Sequence, residues 1–395
     1  MKHLTRLLAF GLLIAAFAGP ALAQDTTGGA TATTAAAAQD EACNELYTRF
    51  YEAAKDAPKA YELGKEYLQK CPTDNAYRVA VQKSVLKYEM AQRKKEFYAA
   101  LGGGKYDDAF AMSKQILADT ADSPQVFYDL TIAGGDAVEK ENEKNNAAAN
   151  AYAKRSLELT NSGKLPNAKT NKDTASGEAY YTLGLTAEKP EEQVQFLVKA
   201  VQTQLYGKNA GVYFKLALAY QEGEYTKNSD AYNEIIKDKS KTPDDPAVKE
   251  ALKNYQQSAD RLMDALARTI VFAATPELAP LKTNSMPLIT GLYKFRNKTD
   301  AGLQAFISGI MARPIPQPGQ PIDYFPPLVM ATPATGTTPA TGTKPPMVKP
   351  PTKGTMPPAT GTDTMPATGA TPATGTKPPM VKPPTKGKKP KGKKG

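Results

Sequence analysis

Ala179-Tyr180-Tyr181-Thr182-Leu183-Gly184 and Val212-Tyr213-Phe214-Lys215-Leu216-Ala217 carry one pattern twice, 33 residues apart. Each has a large aromatic, then an apolar residue, then a small one. Both lie in the stretch 176–238, which reads as two successive helical pairs. A unit of this length cannot bury its apolar face alone and must stack on neighbours. The reading is therefore an all-α chain built from local contacts.

Working outward, Phe127 and Leu130 mark an earlier unit that closes with Arg155-Ser156-Leu157-Glu158-Leu159-Thr160-Asn161. Gly104-Lys105-Tyr106-Asp107-Asp108-Ala109 reads as a turn into a further helix. The pattern resembles the tetratricopeptide repeat, two antiparallel helices in about 34 residues. The resemblance covers roughly 44–238 and implies a right-handed α-solenoid of degenerate TPR-like hairpins. Two departures stand out: Tyr180 follows Phe127 by 53 residues, and the chain has no Trp. The resemblance also implies a concave groove, lined by the first helices, that binds extended or helical segments of partners. The residue after each anchoring aromatic (Tyr128, Tyr181, Phe214) takes the groove-facing position in such a repeat. A ladder of aromatics with polar tips would suit a partner; ordinary packing between helices is the alternative.

Residues 1–23 read as a secretory signal peptide. Lys2 and Arg6 precede an apolar run, and Ala21-Leu22-Ala23 is a small-x-small cleavage site. The run is short for a bilayer core of about 30 Å, so no transmembrane segment is expected in the mature protein. Residues 24–40, rich in Ala and Thr, read as a flexible leader. Removing the signal removes His3, the only histidine. Imidazole bases, Ser-His and Cys-His nucleophile pairs and His metal ligands then drop out. No cofactor or metal is expected. The chain reads as a non-enzyme, with a carboxylate-only hydrolase as the remaining catalytic alternative.

The only two cysteines are Cys43 and Cys71. Asp56-Ala57-Pro58 reads as a helix end and a new start, since Asp caps and Pro fits the first turn. A hairpin folded there brings Cys43 opposite Cys71. Export would make the pair a disulfide; two buried thiols are the alternative.

Helical patterns run on over 75–101, 106–118 and 124–140, and 164–176 reads as a loop. Asp244 or Asp245, with Pro246, opens a helix whose Val248, Leu252, Tyr255, Ala259, Leu262, Leu266 and Ile270 form a narrow apolar stripe. Lys249, Glu250, Asp260, Arg261 and Asp264 are expected on its wet side. It reads as a helix capping the solenoid, with a coiled-coil dimer seam as the alternative. Two short helices follow, near 285–295 and 300–312. The repeat domain thus spans 41–312.

Residues 313–395 read as a disordered tail. Of 32 prolines, 21 lie between Pro314 and Pro390, and 338–354 returns unchanged as 371–387. Such a segment buries too little apolar surface to offset its ordering entropy. From Met330 onward it holds eleven lysines and one acid, Asp363, so its +10 equals the charge of the whole chain. Lys386, Lys388, Lys389, Lys391, Lys393 and Lys394 crowd the end. They read as a salt-sensitive tether to an anionic cell-envelope polymer or lipid surface. Nucleic acid is not expected as a partner in vivo. The functional expectation is an exported scaffold, periplasmic or envelope-associated, with a protein or peptide partner in the groove. The alternative is an envelope structural protein whose tail is the working part.

Overall fold

The structure is a computed structural model that describes residues 29–120 and 122–325, with side chains from Gln39 onward. The expected signal peptide and the lysines Lys386, Lys388, Lys389, Lys391, Lys393 and Lys394 lie outside the described residues. The helices are α1 (Gly29–Glu52), α2 (Ala57–Lys70), α3 (Ala76–Gly102), α4 (Tyr106–Asp119), α5 (Pro124–Glu139), α6 (Asn146–Asn161) and α7 (Lys172–Thr186). They continue with α8 (Pro190–Val201), α9 (Ala210–Tyr220), α10 (Thr226–Lys237), α11 (Pro246–Phe272), α12 (Ala279–Asn297) and α13 (Leu303–Gly309). Among the described residues there is no strand, and no helix is long and apolar enough to cross a membrane. The described residues divide into two compact units, the first up to residue 91 and the second from residue 92.

The first unit is built on the hairpin of α1 and α2. Asp56 caps α2 by accepting the Lys59 N–H at 3.3 Å, with Pro58 in the first turn. Leu46, Phe50, Leu63, Tyr67, Val81 and Val85 form its core. The Cys43 and Cys71 sulfurs are 2.10 Å apart, as a disulfide. Arg78 caps the carboxyl end of α2, donating to the carbonyls of Leu68 and Cys71. One expectation is corrected here. The stretch 24–40 is helical from Gly29 on, because its alanines have the highest intrinsic helix propensity.

In the second unit α5 through α8 pack as consecutive neighbours, and α7 also packs on α5. The approach is close because glycines lie in the seams. A Cβ on Gly134 of α5 would sit 2.4 Å from that of Ala149 in α6, and one on Gly184 of α7 would sit 2.7 Å from Leu197 in α8. The loop expected over 164–176 ends early. Asn171 accepts the Thr174 N–H at 2.8 Å and starts α7 at Lys172.

Beyond α8 the hairpin pattern stops. The second expected pair is a single helical run, 210–237, in which α9 passes through a π turn at Gln221–Tyr225 straight into α10. A lone Gly223 is too weak a breaker to end a helix, and the surplus residue is absorbed as a π turn. The hairpin partner of this run is α11, against which both α9 and α10 pack.

α11 is neither a one-sided cap nor a solvent-facing seam. α9, α10, α12 and α13 all pack on it, and every residue from Ser258 to Ile270 is buried. Asp260, Arg261 and Asp264, expected on a wet face, are inside. They are tolerated because each is paired: Asp260 with Arg296 at 2.7 Å, Asp264 with Arg268 at 2.7 Å, and Arg261 with Glu224 of the π turn. α12 begins earlier than expected, at Ala279, and α13 starts after Gly302 (φ 91°) without a side-chain cap. Finally, residues 313–325 were expected in the disordered tail but belong to the body. Tyr324 donates to Asp264 at 2.6 Å, and Phe325 packs on Tyr293 and Phe306.

Two outcomes follow from this packing. Gly134→Ala should lose about 1–3 kcal/mol in urea unfolding, because overpacking at 2.4 Å outweighs the gain of about 1 kcal/mol in helix propensity. Gly102→Ala, with nothing within 4 Å, should lose nothing; equal effects at the two sites would refute the seam. Alkylation of the unreduced protein should label neither Cys43 nor Cys71. Reduction should then lower stability by about 3–4 kcal/mol for a loop of this length on the chain-entropy account.

Candidate functional site

The expected aromatic ladder is not on the surface. Tyr128, Tyr181 and Phe214 are 7%, 5% and 0% exposed, while the supposed anchors Phe127 and Tyr180 are only half-buried. The assignment is therefore corrected: these three side chains pack between helices. Phe214 sits with Ala210, Ala273 and Leu281, and the Tyr181 ring lies tilted against that of Tyr206 with centroids 4.7 Å apart. The reason is coverage. A middle helix with neighbours on several sides leaves no bare flank for the residue one position, or about 100°, past the anchor.

What surrounds Tyr181 is polar. Three carboxylates each accept a tyrosine hydroxyl from another part of the chain. Tyr106 of α4 donates to Asp136 of α5 at 3.3 Å, Tyr181 of α7 donates to Glu139 of α5, and Tyr206, just before α9, donates to Glu178 of α7 at 2.6 Å. Lys140 donates to the Tyr106 hydroxyl at 2.9 Å and so extends the first pair. Lys215 of α9 faces Glu139 without an ion pair. The pairs step along α4, α5, α7 and α9, and they run from wet to dry: Asp136 and Lys140 are exposed, Glu139 and Lys215 half-buried, Glu178 buried.

Local sequence explains the placement. Asp136 and Glu139 are three apart and so adjacent on one face of α5. Glu178 lies in Ala175-Ser176-Gly177-Glu178-Ala179, whose small residues bring the helix close to Thr203 and Leu205. That close approach delivers Tyr206 onto the carboxylate.

Burial is the first cause of the shifts at Glu178, Glu139 and Lys215, whereas the hydrogen bond to Tyr106 comes first at Lys140 and raises it. Burial pushes the Glu178 carboxyl up to about 7, against the opposing hydrogen bond from Tyr206, and the negative Asp136 and Glu139 add to the rise. Burial likewise raises Glu139, offset by the hydroxyl of Tyr181. One turn pair earlier on α5, burial pushes Asp129 up to about 6. Burial lowers the Lys215 ammonium, and the Glu139 carboxylate pulls it back. The cluster thus holds more acid than base in a poorly hydrated place, so an added cation would relieve it. Among the described residues no group of His, Cys, Asp and Glu is arranged to hold a metal ion.

The sequence reading singled out none of Asp136, Glu139 and Glu178. The available signal was an acid set among small residues, as in Gly134-Gly135-Asp136-Ala137 and Gly177-Glu178-Ala179.

Glu178 makes stability pH-dependent. Its folded pKa lies above the ordinary carboxyl value, so its contribution is complete below about pH 4.5 and is lost as pH rises through about 7. Between pH 5 and 8 the thermal midpoint should fall, and Glu178→Gln should remove part of that fall while raising stability at pH 8. An unchanged pH slope in Glu178→Gln would show that its carboxyl does not titrate there.

Compared with protein-family models, with curated proteins and with solved structures, the chain finds no match.

Proposed function

We propose that this chain is an exported, non-enzymatic helical-repeat scaffold that binds a protein or peptide segment, with its cationic tail as a tether to an anionic envelope polymer or lipid surface. The binding face is the one built by α5, α7 and α9, and the segment it takes carries a lysine or arginine. The observation that carries the reading is the convergence of Asp136, Glu139 and Glu178, each on a tyrosine hydroxyl, with Asp136 open to solvent and three carboxylates facing two lysines, Lys140 and Lys215.

Several features support the repeat part of the reading. The hairpins of α5 with α6 and α7 with α8 are each close to the length of a tetratricopeptide unit. α7 lies against α5 as successive first helices do in a solenoid, and Gly184 meets Leu197 where that repeat needs a small residue. The π turn after α9 limits the resemblance to the part before it. Export is supported by the signal-like N-terminus and by the Cys43–Cys71 bond, which persists in oxidising compartments.

The test separates face from tail. Mature protein, protein truncated after Phe325, and Asp136→Lys/Glu139→Lys protein are each presented with a library of cationic peptides. The first two should retain the same peptides. The double variant should lose at least about 1–2 kcal/mol of affinity, as hot-spot changes do, with helicity unchanged. Retention by the double variant, or loss on truncation, would assign binding to the tail instead.

A further inference from the structure

Residues 313–325 are a proline-rich strap, Arg313-Pro314-Ile315-Pro316-Gln317-Pro318-Gly319-Gln320-Pro321-Ile322-Asp323-Tyr324-Phe325. It turns once. The Gln320 N–H donates to the Gln317 carbonyl at 3.2 Å, with Pro318 and Gly319 between them and Gly319 at φ 73°, the glycine-requiring position of a type II turn. Proline has no N–H to give, and the residue before it is held extended. Carbonyls in such a strap therefore find little backbone to pair with.

The body supplies donors by a repeated device. Arg261 and Arg268 of α11 and Arg296 of α12 are all buried, and each first pairs with a carboxylate of the body: Glu224, Asp264 and Asp260 respectively. A guanidinium has five N–H groups, so a carboxylate leaves donors over. Those remaining donors reach the strap. Arg268 donates to the Arg313 carbonyl at 2.8 Å, Arg261 to the Gln320 carbonyl at 2.6 Å, and Arg296 to the Phe325 carbonyl at 3.5 Å. Every one of these three carbonyls belongs to the residue before a proline: Pro314, Pro321 and Pro326. Arg268 also donates to the Pro314 carbonyl at 3.2 Å.

Aromatic rings flank the row. Phe325 lies against Tyr293 and Phe306, and the Arg313 guanidinium sits 4.5 Å from the Tyr324 ring and 5.2 Å from that of Phe306. One donor is left over. Arg296, 4% exposed, keeps its buried Nη1 without a partner among the described residues.

We propose that the arginine row of α11 and α12 is a recognition site for extended proline-rich peptide, read through the carbonyls that precede proline, and that residues 313–325 are its resident ligand in cis. The chemistry is selective for backbone and proline spacing rather than for side-chain identity. Its ligand loses little conformational entropy on docking, because the prolines already hold it extended. This site is separate from the tyrosine–carboxylate cluster and does not depend on the function proposed for that cluster.

The experiment loosens the resident strap in the full-length chain by Tyr324→Ala/Phe325→Ala. Binding of a fluorescent synthetic peptide of sequence 313–325 is then followed by anisotropy. The loosened protein should bind the peptide at least about tenfold more tightly than the unaltered chain. The same peptide carrying alanine for Pro314 and Pro321 should bind it at least about tenfold more weakly, the equivalent of about 1.4 kcal/mol. Equal binding of the two peptides, or none by a loosened protein of native helicity, would make the strap ordinary terminal packing. Hydrogen exchange on the unaltered chain covers the case in which the double variant misfolds. Excess proline-containing peptide should speed exchange of the strap amides at Gly319, Gln320 and Ile322, and the alanine peptide should not. Exchange unaffected by both peptides would overturn the proposal.

Discussion

The second unit depends on a constraint set by α11: a helix buried on all sides over three and a half turns must neutralise every charge it carries. Asp260, Arg261, Asp264 and Arg268 fall within nine residues and cannot be left in apolar surroundings. Each is paired, and two of the pairs reach outward, to Arg296 of α12 and to Glu224 of the π turn. Their net worth against an apolar core of the same volume is small, whereas losing one partner leaves a buried charge at a cost of about 3–5 kcal/mol. Such pairs therefore act less as adhesive than as a registration device. The pairs with Glu224 and Arg296 fix where the π turn and α12 meet α11.

The π turn follows from the same constraint. A regular α-helix over 210–237 would rotate Glu224 relative to α9, and the surplus residue of the wider turn sets where that carboxylate meets Arg261. Gly223 lets the turn lie close against the start of α8, since a Cβ there would lie 2.8 Å from Pro190. Pairing, glycine and helix irregularity thus act as one unit.

Acid burial recurs at the tyrosine–carboxylate cluster, with a different solution. There hydroxyls take the place of guanidiniums, so hydrogen-bonding capacity is partly met while charge is not. Burial raises Glu139 and Glu178, and it raises Asp260 and Asp264 too, although a paired arginine opposes it there. A charge-neutral lattice supports a fold.

Helix existence was legible in the sequence because it rests on period and caps, which are local. Asp56 with Pro58 and Asp245 with Pro246 mark their helices whatever packs on them, and the hairpin centred near residue 57 alone aligned Cys43 with Cys71. The boundary of the body was not legible. Proline content argued for a tail from 313, whereas the leftover guanidinium donors of Arg261, Arg268 and Arg296, the Tyr324–Asp264 hydrogen bond and the packing of Phe325 hold 313–325 in place. The candidate site was read one residue and one chemistry away. Tyr181 was singled out, but as exposed aromatic area, whereas its part is to hold Glu139. Periodicity gives the faces of a helix but not how many of them are covered. Whether Asp260 or Glu178 is wet or buried is decided by partners 36 and 28 residues away in sequence, and no local pattern encodes those pairings.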